Sequence, residues 1–461
     1  MGVPGPAATS ARRLSDAPTA LDTSSRTVWA IALPVILAEL SEHVVEVTDT
    51  AFLGRVGTIE LAAVGLAAAM YEVVVFFTLG LSDGIQILTA RRAGQGRARA
   101  IGDAFFHGAS LLLATACVAF LILEFGSPAL TSWVVRSDAV RTGVDDFVRI
   151  IAFAAVFHCL NMAYSAFYVG IGRTRVLVGA TAVLALTNVG LDYVLIFGHL
   201  GFPRLGIEGA ALGAVVSEIV AFAFLTCATL WNGDARRFGL FRPRRLDRSL
   251  TRVLLAISWP AALDRLVGSV RWFLFFLIVE HVGEQALALA NVVHGVYALL
   301  LLPIGGFAET VCTLTSNLIG QERPAGIGGV LRRTMGWAAL CIVPFALLAL
   351  VAPALPLSLF TSDPELVTAA TSSLRVVILA ILLAIPAEIV FSAVAGTGNT
   401  RAVLGIELVL SATVLVCAYA AGMVLRLPVQ AMWAAEVVGW SVCLVCSALW
   451  LKRARWSDLA I

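Results

Sequence analysis

The sequence predicts an all-α integral membrane protein of twelve transmembrane helices, built as two six-helix bundles related by a parallel internal repeat. Three observations carry that prediction. The chain of 461 residues is 59% hydrophobic and only 13% charged, with a mean hydropathy of +0.92, whereas a soluble domain carries about 25% charged residues. Its apolar runs are continuous and reach the ~20 residues needed to cross a bilayer core. The second half repeats the first at one gap-free offset, the one that takes Pro34 to Pro260.

Twelve apolar stretches are candidate spans: 27–53, 59–90, 101–125, 141–169, 175–198, 206–231, 252–281, 285–318, 330–353, 364–395, 401–425 and 428–451. Backbone polar groups must be satisfied within each segment in lipid, so continuous runs are helices. The expected organisation is a disordered tail over 1–26 and an N-terminal lobe over 27–231. A basic linker over 232–251, a C-terminal lobe over 252–451 and a tail over 452–461 follow. Basic residues set the orientation. With the N-terminus in the cytoplasm, 23 Lys and Arg fall in inside segments and 5 in outside segments. The positive-inside rule then places both termini in the cytoplasm of a cell (inner) membrane protein. The linker stretch "WNGDARRFGLFRPRRLDRSL" reads as a basic loop near lipid headgroups rather than a nucleic-acid site.

The repeat is visible in matched residues. "IALPVILAEL" at 31 aligns with "ISWPAALDRL" at 257, Tyr71 with Tyr297, Gly94-Gln95 with Gly320-Gln321, and "GIGRTR" at 170 with "GTGNTR" at 396. Six spans per half give both halves the same orientation, a parallel repeat whose two bundles enclose a cleft, as transporters do. Pro34 and Pro260 each remove a backbone hydrogen bond inside the first helix of their half and permit a kink.

Ionisable groups at membrane depth cost ~2.5–3.5 kcal/mol each on insertion scales and mark function. The repeat sharpens the choice, because scaffold features should recur in both halves. Asp49 aligns with Phe275, Asn188 with Val414 and Asp192 with Ala418. Asn188 and Asp192 are spaced i,i+4 and share a helix face. With Asp49 they form a candidate cation-coupling site, able to share a proton or to hold Na⁺; polar glue between helices is the alternative. Glu39, Glu42 and Glu46 fall with Asp49 on one arc of about 80°, with His43 beside them. They read as an acidic wall of the substrate cavity. Arg265 and Arg271 of the seventh span, and Glu388 of the tenth, are the other cavity candidates. Glu72, Glu218, Glu407 and Glu436 read as single acids with no visible partner. Glu309 and Asp83 match across the repeat and read as structural.

Other chemistry is disfavoured. Lys452 is the only lysine, so no P-loop can form, and no HExxH helix occurs. All eight cysteines lie in apolar segments and read as packing residues, the Cys443/Cys446 pair included. No cofactor is expected, and no enzyme constellation is visible.

With these residues in view, the chain resembles the multidrug and toxic compound extrusion (MATE) family over about residues 27–452. The resemblance rests on "VTDTAFLGRVG", "ARRAGQG", "GIGRTR", "TNVGLDYVLIFG" and "GIEGAALGAVVSE" together. The Asn188…Asp192 spacing is similar to the DinF-like branch. The resemblance implies a MATE/MOP-type fold, Asp49, Asn188 and Asp192 as the cation site, and a monomer in the lipid bilayer. It also implies efflux of amphipathic, often cationic small molecules by H⁺ or Na⁺ antiport with alternating access. A lipid-linked saccharide or lipid flippase of the same superfamily is the alternative. Ala214 stands where many relatives carry a Thr, which favours H⁺ over Na⁺. A further expectation is that Arg265 pairs with Glu39 in one conformation. Charge-reversed variants at the two positions should then rescue each other in a transport assay, and independent defects would contradict the pairing.

Overall fold

The computed structural model describes residues 20–242 and 244–454. Residues 1–19 and 455–461 of the two expected tails lie outside the described residues. The last residues before the first helix are not the disordered tail expected there. Asp22 accepts hydrogen bonds from the Ser24 amide (3.1 Å) and hydroxyl (2.8 Å) and from Thr27. These bonds, that of Thr27 foremost, hold the Asp22 carboxyl below the usual carboxylate range, and Ser24 Oγ caps the helix start by accepting from the Thr27 amide (3.3 Å).

Twelve long helices follow among the described residues. In the first half they are α1 (Ser25–Gly54), α2 (Thr58–Gly94), α3 (Ala98–Val134), α4 (Asp138–Gly170), α5 (Arg175–Phe197) and α6 (Ile207–Trp231). In the second they are α7 (Arg248–Glu280), α8 (Glu284–Gly320), α9 (Ile327–Val351), α10 (Pro364–Gly396), α11 (Thr400–Val424) and α12 (Val429–Arg453). No strand occurs among the described residues. Eleven of these helices are long and apolar enough to cross a membrane. The twelfth, α7, has 33 residues and carries Asp264, Arg265 and Arg271 in its middle. The chain is a multi-pass membrane protein. One π-helical turn, Ile122–Gly126, interrupts α3, and another, Ala420–Val424, ends α11.

The described residues form two compact units, which differ from the lobes read in the sequence. Among the described residues, one holds those between 33 and 258; the other holds 22–32 and 259–454. The exchange points lie one residue before Pro34 and one before Pro260. A proline inside a helix breaks one i→i−4 bond and frees the chain to change direction there. The linker is also more than a linker. Residues Asp234–Phe238 form a short helix, and Asp234 and Phe238 are buried. Arg173 bonds Asp234 (2.6 Å), Arg244 bonds Asp103, and the Asp247 amide donates to His107 Nε2 (2.9 Å). Burial pushes the Asp234 carboxyl above its usual range, and Arg173 opposes that. Apolar Phe238 seated on Phe167 (ring centroids 5.4 Å) explains why this polar stretch folds back onto the first unit.

Each unit is organised around its fourth helix. Among the eleven apolar spans, α4 and α10 are the most buried. In lipid, helices gain little from the hydrophobic effect and rely on close packing of small residues. Gly170, at the end of α4, shows this. A Cβ there would lie 2.8 Å from the Thr89 side chain and 3.0 Å from the Gln86 carbonyl. Its repeat mate Gly396 would place a Cβ 2.8 Å from Thr315. Gly172 and Gly398, in the turns that follow, have φ of 68° and 87°, the left-handed region that glycine adopts without strain.

Gly170→Ala and Gly396→Ala should each lower stability by ~1–3 kcal/mol through overpacking. Gly190→Ala, where a Cβ meets nothing within 4 Å, should be neutral or slightly stabilising. Thermal unfolding of the purified proteins in detergent checks both. Equal effects at Gly170 and Gly190 would contradict the packing argument.

Candidate functional site

Four polar constellations lie within the helices, two of them anticipated in sequence. The first joins α1 and α5. Asp192 is fully buried and Asn188 nearly so, one turn apart on α5, while Asp49 is half-buried on α1. The Asp49 and Asp192 carboxylates lie within hydrogen-bond reach of each other. Ionised carboxylates only accept. Asp49 Oδ1, both oxygens of Asp192 and Asn188 Oδ1 are buried with no protein donor. A proton or a small cation would satisfy these buried acceptors. Gly213 packs so closely on Asp192 Oδ1 that a Cβ would overlap it.

The acidic face of α1 is the second constellation. Glu42 and Glu46 are exposed, Glu39 and His43 half-buried. His43 Nδ1 lies 3.4 Å from Glu46. Ser41, Thr48 and Thr50 turn their hydroxyls back to the carbonyls of Leu37, Val44 and Glu46. That leaves the carboxylates as the outward polar groups.

The third constellation was missed in sequence. Glu218 of α6 is not a single acid without a partner. Its Oε1 meets His158 Nδ1 of α4 at 3.1 Å. Asn161 Nδ2, one turn along α4, donates to Glu218 Oε2 (2.6 Å) and to its backbone carbonyl (3.1 Å). The filter that selected Asp49 would have found these residues. Their repeat mates are Ala384, Ala387 and Leu444.

The fourth corrects the reading of the second half. Arg271, expected on a cavity wall, is buried. Its Nη1 bonds Glu436 Oε1 at 2.6 Å, and its Nε lies 3.8 Å from Glu407. Tyr297 donates its hydroxyl hydrogen to Glu436 Oε2 (3.0 Å), and Trp440 Nε1 donates to the Tyr297 oxygen (2.7 Å). Ser411 donates to Glu407 (2.8 Å), and Trp272 covers the guanidinium at 4.9 Å. Glu407 and Glu436 are therefore partnered acids. A guanidinium can be buried there because carboxylates and an aromatic face replace its water. Arg265 is half-buried and bonds Glu309 (3.2 Å) of its own unit; it is the arginine for which pairing with Glu39 was expected. Glu388 is half-buried among Arg265, Glu407, Glu309 and Arg271. All eight cysteines are free.

The internal repeat coincides with a family pattern. The MatE family profile matches the chain twice, over residues 34–194 and 260–420. The chain belongs to the MatE family of transporters. The two matches reproduce the internal repeat residue for residue. The chain is 25% identical over 374 residues to the "Probable multidrug resistance protein NorM" of Thermotoga maritima, covering 80% of this chain and 79% of that one. It is 27% identical over 376 residues to the "Multidrug resistance protein NorM" of Burkholderia vietnamiensis, covering 80% and 79%. Its fold is similar to that of a multidrug resistance MATE family transporter of the MOP superfamily in an outward-facing conformation. That likeness has a TM-score of 0.86 at 18% identity and covers 97% of this chain and 98% of that one.

Removing the positive partner from a buried ion pair costs ~3–5 kcal/mol, because charge is left uncompensated. Arg271→Ala in this MatE protein should therefore be severely destabilising. Glu42→Gln, at an exposed position, should stay within about 0.5 kcal/mol of the parent. Thermal unfolding distinguishes them, and an Arg271→Ala protein as stable as the parent would contradict the assigned geometry.

Proposed function

We propose that this MatE protein is a secondary active efflux transporter that exports amphipathic, chiefly cationic small molecules in exchange for protons by alternating access. The observation that carries this reading is the acceptor-only contact of Asp49 and Asp192 beside Asn188. One proton shared between the carboxylates satisfies the pair. Loss of that proton leaves two adjacent negative charges in a dry setting, which attract a cation. Proton and organic cation then exclude each other, which is what an exchanger requires. The names of the NorM relatives, multidrug resistance proteins, support the substrate class. The accessible acids Glu42 and Glu46 support a preference for positive charge.

Protons fit the pair better than Na⁺. Gly213 sits directly against Asp192 and brings no further oxygen, and two carboxylates with one amide oxygen make a sparse shell for a metal ion. No group of three or more His, Cys, Asp or Glu suited to a metal occurs among the described residues. The Asn188…Asp192 spacing supports placement in the DinF-like branch. The arginine asymmetry supports an inner-membrane protein with both termini cytoplasmic, and we read it as a monomer.

The test is transport by the protein reconstituted in liposomes, with H⁺ and Na⁺ gradients imposed separately and a panel of cationic dyes. A proton gradient should drive dye movement, and Asp49→Asn should slow it at least about tenfold, the loss of about 1.4 kcal/mol of coupling. Transport that ignores both gradients and survives Asp49→Asn would contradict the reading.

A further inference from the structure

We propose that His158 carries a second exchangeable proton, and that Glu42 is where an organic cation competes with it. The inference rests on the efflux reading above and adds a site to it. It begins from a contrast between repeat mates. Tyr297 of α8 and Tyr71 of α2 occupy equivalent positions. Tyr297 is tied to Glu436, which is tied to Arg271. Tyr71 has a buried hydroxyl with no partner, and its ring lies 6.4 Å from that of His158. Each tyrosine thus stands by a base–carboxylate pair, but the bases differ. Arginine does not give up its proton; histidine does so near neutrality. The pair in the second half is permanently charged, whereas the pair in the first half can lose its positive charge.

The geometry shows where the proton moves. Asn161 fixes Glu218 through its Oε2 and its backbone carbonyl, leaving Oε1 to accept from His158 Nδ1. That Nδ1–H bond is present whether the ring is neutral or charged. The exchangeable proton is therefore the one on Nε2, a buried atom with no partner. Its loss and return leave the Nδ1–Glu218 anchor in place. The groups facing the ring are Glu218 from α6, Glu42 from α1 and Tyr71 from α2. Cys159 follows His158 on α4, and Cys117 of α3 lies by Cys159. With Nε2 protonated, the His158–Glu218 pair is neutral; without that proton it carries one negative charge beside Glu42. Glu42 is the exposed member of the three. A cation arriving there is favoured by the deprotonated ring and disfavoured by the imidazolium, and no bond to the cation is made or broken.

The experiment is fluorescence binding of ethidium, a fixed monocation, to the purified full-length protein across about pH 5.5 to 8, a range that brackets the ordinary histidine value. It uses the Asp49→Asn, Asp192→Asn background, which takes the first pair out of the titration. Affinity should rise about tenfold from the acidic to the basic end, about 1.4 kcal/mol. Adding His158→Gln should flatten that rise to under about twofold, below about 0.4 kcal/mol. Adding Glu42→Gln should both weaken binding and flatten the rise. No rise in the background, or a full rise with His158→Gln, overturns the proposal. If His158→Gln does not fold, the exposed Glu42→Gln decides, and a full tenfold rise there overturns it. Failure of the parent protein to bind ethidium at any pH overturns the efflux reading and this inference together. A parent that binds ethidium while the variants keep its pH response overturns this inference alone.

Discussion

Two carboxylates in contact at membrane depth cannot both be ionised without help, and that constraint organises the first half of this protein. Asp192 is buried on α5 with Gly213 packed against its Oδ1, so an ionised, unpartnered carboxylate there is costly. Asp49 comes from another helix, so satisfying the pair also ties α1 to α5. On the exchange proposed above, a proton or cation there is part of the helix packing, and its arrival or departure would change the contacts that hold α1. This is how a bound ion acquires leverage over conformation, because a ligand shifts an equilibrium only through contacts that differ between states.

The internal repeat supplies a scaffold used in two chemical ways. Both units share the buried central helix, the tight glycine contact at its end and the left-handed glycine in the turn beyond it. Their polar interiors diverge. The second unit locks Arg271 between Glu436 and Glu407 with Tyr297, Trp440 and Trp272 around them, a network that stays charged at any physiological pH. The first unit places groups that can change charge: Asp49 with Asp192, and His158 with Glu218. The repeat thus carries a fixed ion pair in one half and groups able to change charge in the other, a division suited to the exchange proposed above.

Much of this was legible in the sequence, for a physical reason. Lipid forces every span to be a continuous apolar helix, so hydropathy located the spans with ends within a few residues except at the third, which was expected to end at 125 and runs on through a π-helical turn to Val134. The repeat then separated scaffold from function and singled out Asp49, Asn188 and Asp192. What stayed hidden depends on how helices are rotated against each other. His158 and Glu218 are 60 residues apart, and Arg271 and Glu436 are 165 apart; nothing local says that they meet. Arg271 looked like a cavity charge because an unpaired arginine cannot be buried, and its partners sit on α11 and α12. The change of unit near Pro34 and Pro260 was visible only as two kinks. The "linker" looked solvated because its arginines dominate its composition, while one apolar anchor, Phe238, decides its placement.

The central claim is that Asp49 and Asp192 share one exchangeable proton. Infrared difference spectroscopy of the protonated-carboxyl band, recorded on reconstituted protein in H₂O and D₂O, tests it directly. The account predicts a deuterium-sensitive carboxylic acid band at neutral pH that disappears in Asp49→Asn and in Asp192→Asn, and that is displaced when a cationic dye binds. A band that neither substitution alters, or no protonated carboxyl attributable to the pair at all, would contradict it.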